Sequence, residues 1–231
     1  MIDASEVLSQ LRPGVDMVVK GDSRLPFVER GSDIDVFTLD PGGLEARIAR
    51  NFPIFDFEEM RVSNLSPRHI QISFSILGEL GFMLDVYGDF PNYSRFNIKP
   101  ELFHRLVASS ANPAMQTSKT WPVPSTVSEA VIRYLEYINF FWSGPSKIKH
   151  AEWVLENLTD SDYELFFWTL HKYVQVKEDF LVQHNKVKAW RSTLLFLVTR
   201  LQENRVTLRI GKKVTRRFPR FGSFIESLFK G

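Results

Sequence analysis

Asp33 and Asp35, two carboxylates in the run Ser32-Asp-Ile-Asp-Val36, are the pair best placed to do chemistry in this chain. Side chains alternate across an extended strand, so both carboxylates share one face while Ile34 and Val36 share the other. Like charges held that close repel. A hard divalent cation relieves the repulsion, and Mg²⁺ favours carboxylate oxygens together with substrate phosphates. A third carboxylate, Asp85 in Phe82-Met-Leu-Asp-Val-Tyr87, lies in a second strand-like run. Its neighbours Leu84 and Val86 would turn to the core and leave Asp85 on the open face. If the two strands lie side by side, three carboxylates converge and can hold two metal ions, one at an attacking oxygen and one at a leaving pyrophosphate. Upstream, Val18-Val-Lys-Gly-Asp-Ser-Arg24 offers phosphate-binding chemistry. Gly21 lets the backbone approach a phosphate closely, Ser23 can donate a hydroxyl, and Lys20 and Arg24 add positive charge.

In chain order, Gly-Asp-Ser-Arg at 21–24, Ser-Asp-Ile-Asp-Val at 32–36 and Leu-Asp-Val at 84–86 resemble the nucleotidyltransferase superfamily of DNA polymerase β type. There, a Gly-Ser or Gly-Gly turn precedes Asp-x-Asp, and a third Asp follows on a neighbouring strand. The resemblance covers roughly residues 15–90. It implies a small mixed sheet flanked by helices, two Mg²⁺ ions with Mn²⁺ as a substitute, and transfer of an NMP from an NTP to an acceptor. It implies Asp33 and Asp35 as shared metal ligands and Asp85 as a ligand of the catalytic metal near the acceptor oxygen. The expected nucleotide-binding set is Lys20, Gly21, Ser23, Arg24, Ser32, Lys147 and Lys149. One departure is Asp22, which directly follows Gly21 where the family usually has Ser or Gly. If Ser23 takes that role, the turn is displaced by one residue. The segment Leu25-Pro-Phe-Val-Glu-Arg30 replaces the more usual small and basic residues. It resembles the version found in proteins associated with bacterial surface-polysaccharide gene sets.

The surrounding elements must position these groups. Ser5–Leu11 reads as a short helix, 15–20 and 34–39 as strands, and 44–51 as a helix. A strand is expected at 55–62. Ile70, Ile72, Phe74 and Ile76 alternate with His69, Gln71, Ser73 and Ser75, the period-two signature of a half-buried strand. A turn at Gly78–Gly81 should join it to a strand at 82–87 as a hairpin. A helix at 100–109 follows. The expected class is α+β, with a small mixed-sheet nucleotidyltransferase domain at 1–112 followed by an all-helical domain at 113–231. Pro113, Pro122 and Pro124 mark the connection. Capping boxes are expected at Thr126-Val-Ser-Glu129 and Ser161-Asp-Tyr-Glu164, and a last long helix at 177–204.

In the second part, Arg133 and Glu136 lie among apolar neighbours, which is costly unless they are paired. They either pair at i,i+3 or free Glu136 as a general base. Lys147, Lys149, His150 and Glu152 cluster at a helix start, where the lysines could receive a phosphate. His69, His104, His171 and His184 show no zinc-type spacing. The pairs Phe140-Phe141 and Phe166-Phe167 with Trp168 read as core.

Composition narrows the rest. Of 231 residues, 44% are hydrophobic and 13% aromatic, enough for a packed core. With no cysteine, disulfides, thiolate metal sites and a Cys nucleophile are excluded. A net charge of +2 does not itself imply a polyanionic partner. Yet Arg205, Arg209, Lys212, Lys213, Arg216, Arg217 and Arg220 crowd one run that either stays a solvated tail or binds nucleic acid, phosphate or an anionic surface. No apolar run is long enough to span a bilayer and no signal peptide is evident, so a cytoplasmic protein is expected. The expected acceptor is a small hydroxyl- or phosphate-bearing molecule, such as a sugar or surface-polysaccharide precursor. The alternatives are a macromolecular acceptor (RNA, or a partner protein as in toxin–antitoxin systems) and a nucleotide-binding module without catalysis.

Overall fold

The structure, a computed structural model, describes residues 1–21, 24–110, 121–140 and 147–177. Among these the protein is mixed α+β, with six α-helices, one five-stranded sheet and two two-stranded sheets. The elements in order are β1 (Ile2–Asp3), α1 (Ser5–Leu8), β2 (Asp16–Val18), β3 (Phe27–Val28), β4 (Ser32–Thr38), α2 (Pro41–Asn51), β5 (Glu59–Ser66), β6 (His69–Ile76), β7 (Glu79–Tyr87) and β8 (Phe96–Ile98). Then come α3 (Pro100–Ser109), α4 (Thr126–Phe140), α5 (Ile148–Asn157), α6 (Asp160–Tyr173) and β9 (Val174–Val176). They form two compact units. The first comprises Met1–Asn92 and Lys99–Glu129; the second comprises Tyr93–Ile98 and the described chain from Ala130 onward.

The first unit is built on a five-stranded sheet of order β2-β4-β7-β6-β5. Only the β4–β7 pairing is parallel. Alternation sends Ile34, Val36, Ile70, Ile72, Phe74, Phe82, Leu84 and Val86 to one face, where they are buried with Val7 and Leu8 of α1 and Leu44 and Ile48 of α2. α2 starts where Asp40 Oδ1 accepts the Gly43 N–H at 2.9 Å and Pro41 opens the helix.

The β6–β7 hairpin turns at Leu77-Gly78, not at Gly78–Gly81 as the sequence suggested. Both turn residues have positive φ, 55° and 72°, the two-residue geometry that matches strand twist. Gly81 lies inside β7, at a register shift opposite Phe74–Ser75. A Cβ there would meet the Phe74 carbonyl oxygen at 2.9 Å, so the backbone approach requires glycine. The strand expected at 55–62 lies instead at Glu59–Ser66. Its hydrogen-bond register with β6 carries it through Ser63 and Asn64, which give no apolar signal.

A buried charge ties this unit together. Asp16 is 0% exposed. Its carboxylate accepts from Arg47 Nη2 of α2 at 2.5 Å, Thr38 Oγ1 of β4 at 2.6 Å and the Arg12 N–H at 2.7 Å.

In the second unit, Tyr134, Tyr137, Leu135, Ala151, Val154, Phe166 and Leu170 are buried. Asn139 Oδ1 accepts from Ser94 Oγ and the Arg95 N–H, and Arg95 Nη1 donates to the Ile138 carbonyl. This part is not all-helical. Val174–Val176 forms a strand paired antiparallel with Phe96–Ile98, where the β-branched pair Val174 and Val176 follows the end of α6. The α6 capping box also lies earlier than expected: Thr159 and Asp162 exchange the capping bonds, so the helix begins at Asp160. Of the helix expected at 177–204 only Lys177 is described, outside any helix, with its N–H donating to the Arg95 carbonyl; the rest, and the basic run at 205–220, lie outside the described residues.

Asp16→Ala leaves the Arg47 guanidinium without its buried counter-charge. It should lower unfolding free energy by about 3–5 kcal/mol, measured by denaturant titration against wild type.

Candidate metal centre

The open face of the sheet is set by the same alternation that fills the core. Asp33 and Asp35 alternate with Ile34 and Val36 on β4; Asp85 alternates with Leu84 and Val86 on β7. The parallel register places Asp35 directly beside Asp85. Oxygens of Asp33, Asp35 and Asp85, one from each, lie within 4.8 Å of one another. The row continues across β6 and β5 through Gln71 and Ser63. Farther along β4 the face closes: Phe37 is buried, with its ring centroid 5.0 Å from that of Phe103 on α3 and 5.4 Å from that of Phe90. The carboxylates thus sit at the open end of a face that is apolar at its other end.

Like charges directly opposite on neighbouring strands destabilise a sheet unless compensated. Compensation comes from both sides. Lys20 Nζ donates to Asp35 Oδ2 at 3.2 Å. His69 Nε2 lies 2.6 Å from Asp85 Oδ1, and Tyr87 Oη donates to Asp85 Oδ2 at 2.7 Å. The His69 and Tyr87 rings stack, 4.3 Å apart. Both oxygens of Asp85 are therefore held, which fixes the orientation of the carboxylate. Burial, and then the bond to Asp85 and the charges of Asp85, Asp35 and Asp33, push the Tyr87 phenol well above its ordinary value. Tyr87 stays a neutral donor.

The donor set fits a hard divalent cation. It offers oxygen ligands from three carboxylates within bridging reach, a neighbouring ammonium that already fills a cationic role, and outer partners that orient a ligand. Asp33 is exposed, and Asp35 and Asp85 are half-buried, so the cluster is open to solvent on one side.

The residues expected to bind phosphate are distributed differently. Lys20 joins the triad. The Gly21 N–H donates to Glu129 Oε2 at 3.1 Å. Glu129 is 5% exposed and stands at the start of α4. It reaches the turn, whereas its sequence spacing suggested a helix cap; Ser125 Oγ accepts the Ser128 N–H at that helix start. Arg24 pairs with Glu29 at 3.0 Å, and Ser32 Oγ donates to the Glu29 carbonyl at 2.7 Å. Ser23, with Asp22, lies outside the described residues. In the second unit, Lys147 pairs with Glu136, whose other oxygen lies 3.5 Å from His150 Nε2. Lys149 is exposed on α5. Arg133 lies over the Trp153 ring at 4.7 Å.

Sequence reasoning missed His69, Tyr87 and Glu129. The first two were within reach: Tyr87 has the parity of Asp85, and His69 has the parity of the polar positions of β6. Glu129 carried no signal beyond its cap-like spacing.

Comparison with protein-family models, with curated proteins and with solved structures finds no match to this chain.

The raised Tyr87 value has a definite sign. A group whose folded-state value is raised contributes stability below its unfolded value, about 10, and loses it as pH rises beyond that. In metal-free buffer the stability difference between wild type and Tyr87→Phe should be constant up to about pH 10 and shrink above it, by chemical denaturation at each pH. A constant difference to higher pH would contradict the assigned bond.

Proposed function

We propose that this chain is a Mg²⁺-dependent nucleotidyltransferase of DNA polymerase β type, moving an NMP from an NTP to an acceptor group. The observation that carries the reading is the convergence of Asp33, Asp35 and Asp85 on adjacent parallel strands of a mixed sheet. Their order, with a glycine turn before Asp-x-Asp and a third Asp on a later strand, supports it further. In this reading 1–112 is the catalytic domain and 113–231 a mainly helical domain carrying the basic run, in a cytoplasmic enzyme.

The three aspartates would hold the ions, which when bound neutralise phosphate charge and polarise the reacting oxygens. The chain's own part is positioning. β4 and β7 fix the aspartates with no loop between them and the core. His69 and Tyr87 hold Asp85 in one orientation beside the acceptor. Lys20 and Gly21, with Ser23, Arg24 and Ser32 on the following segment, would receive the triphosphate. The acceptor is a small molecule carrying a hydroxyl or phosphate, of the sugar or surface-polysaccharide-precursor kind.

With each NTP and Mg²⁺, wild type should gain melting temperature by mass action and release pyrophosphate in the presence of acceptor. Asp33→Ala or Asp35→Ala should lose turnover by roughly a thousandfold or more while keeping the fold. Unchanged pyrophosphate release in either variant would refute the assignment.

A second reading rests on the seven basic residues between Arg205 and Arg220, which favour a nucleic-acid acceptor. Intact chain should then bind RNA at low salt with affinity falling steeply as salt rises, and deletion of 205–231 should abolish this. Absence of RNA binding by the intact chain at low salt removes that reading.

A further inference from the structure

Both phosphate-directed groups nearest the triad are held by acids of the chain itself. Lys20 Nζ donates to Asp35 Oδ2, and the Gly21 N–H donates to Glu129 Oε2. Lys20 thus fills, in charge, a place that a metal ion would take beside Asp35. The side chains of both residues are about a quarter exposed, so the pair can exchange with solvent species. We propose that Lys20 is the built-in counter-cation of the metal-free centre, so that the centre resists free divalent ions and loads metal together with nucleotide phosphates. The inference rests on the transferase reading of the same centre and assigns how that centre is filled.

A free divalent ion entering the triad meets carboxylates already partly neutralised, and it brings no anionic oxygen of its own to the ammonium it displaces. An ion arriving with a triphosphate brings anionic oxygens, and the displaced ammonium can turn to these. Lysine suits the exchange because its charge is compact and its four-carbon stem is flexible. The Gly21 N–H follows the same logic, since a phosphate oxygen can replace the Glu129 carboxylate as its acceptor. Lys20 therefore opposes metal alone and favours metal with nucleotide. Coupling of this kind is reciprocal: each ligand raises the affinity for the other.

The experiment uses the full chain as wild type, Lys20→Gln, Lys20→Arg and Asp33→Asn, each checked for an unchanged melting temperature. Electron paramagnetic resonance measures Mn²⁺ binding alone and with the α,β-methylene analogue of each of the four ribonucleoside triphosphates. Lys20→Gln should bind Mn²⁺ alone roughly tenfold more tightly than wild type, and bind the analogue with Mn²⁺ roughly tenfold more weakly. Lys20→Arg should keep the weak binding of Mn²⁺ alone. Asp33→Asn should lose Mn²⁺ under both conditions. If Lys20→Gln leaves Mn²⁺-alone affinity unchanged or weaker while Asp33→Asn still abolishes it, the inference fails and the transferase reading stands. If no variant and no wild type binds Mn²⁺, even with the analogues, both fail together.

Discussion

The parallel pairing of β4 with β7 is the constraint on which the rest of this protein depends. It is the only parallel pairing in a sheet otherwise joined antiparallel, and it sets Asp35 beside Asp85. The cost of placing like charges together is offset on the opposite face, where Ile34, Val36, Leu84 and Val86 are locked into the core. A slip of one residue in either strand would bury a carboxylate and expose an aliphatic side chain. The hydrophobic register and the acidic cluster are thus one property seen from two faces. What the acidic face then needs is positive charge and hydrogen-bond donors, and Lys20, His69 and Tyr87 supply them within the same unit.

The parts of this arrangement legible in the sequence are those that period two controls. Asp33, Asp35 and Asp85 could be placed on one face from their apolar neighbours alone, and the β6–β7 hairpin from alternation in Ile70–Ile76. The details that escaped depend on contacts distant in sequence or on backbone geometry. The Leu77-Gly78 turn needs positive φ at a leucine, which local composition disfavours. Gly81 looked like a turn residue but serves a close approach to Phe74. Nothing local to Asp16 signals its role, and only the fold brings Arg47 and Thr38 to it. Glu129 satisfied a capping pattern by spacing while its side chain served Gly21. Val174–Val176 followed a helix so closely that its pairing with Phe96–Ile98 had no local signature.

The second unit keeps its charges close. Glu136, which the sequence left as either an ion-pair partner or a general base, is held by Lys147 and lies near His150. Lys147 is therefore already committed to a carboxylate, and Arg133 covers the Trp153 ring. These contacts join α4 to α5 and to the residue that precedes it. The chemistry proposed for this chain draws instead on the carboxylates of the first unit, Asp33, Asp35 and Asp85.

The most direct measurement of the central claim is a crystal soaked in MnCl₂ together with each α,β-methylene ribonucleoside triphosphate in turn and measured at the manganese absorption edge. The account predicts an anomalous peak about 2.1 Å from oxygens of Asp33, Asp35 and Asp85 together, with Lys20 displaced from Asp35. Well-ordered aspartates with no peak between them, or peaks of which none is ligated by Asp85, would contradict it.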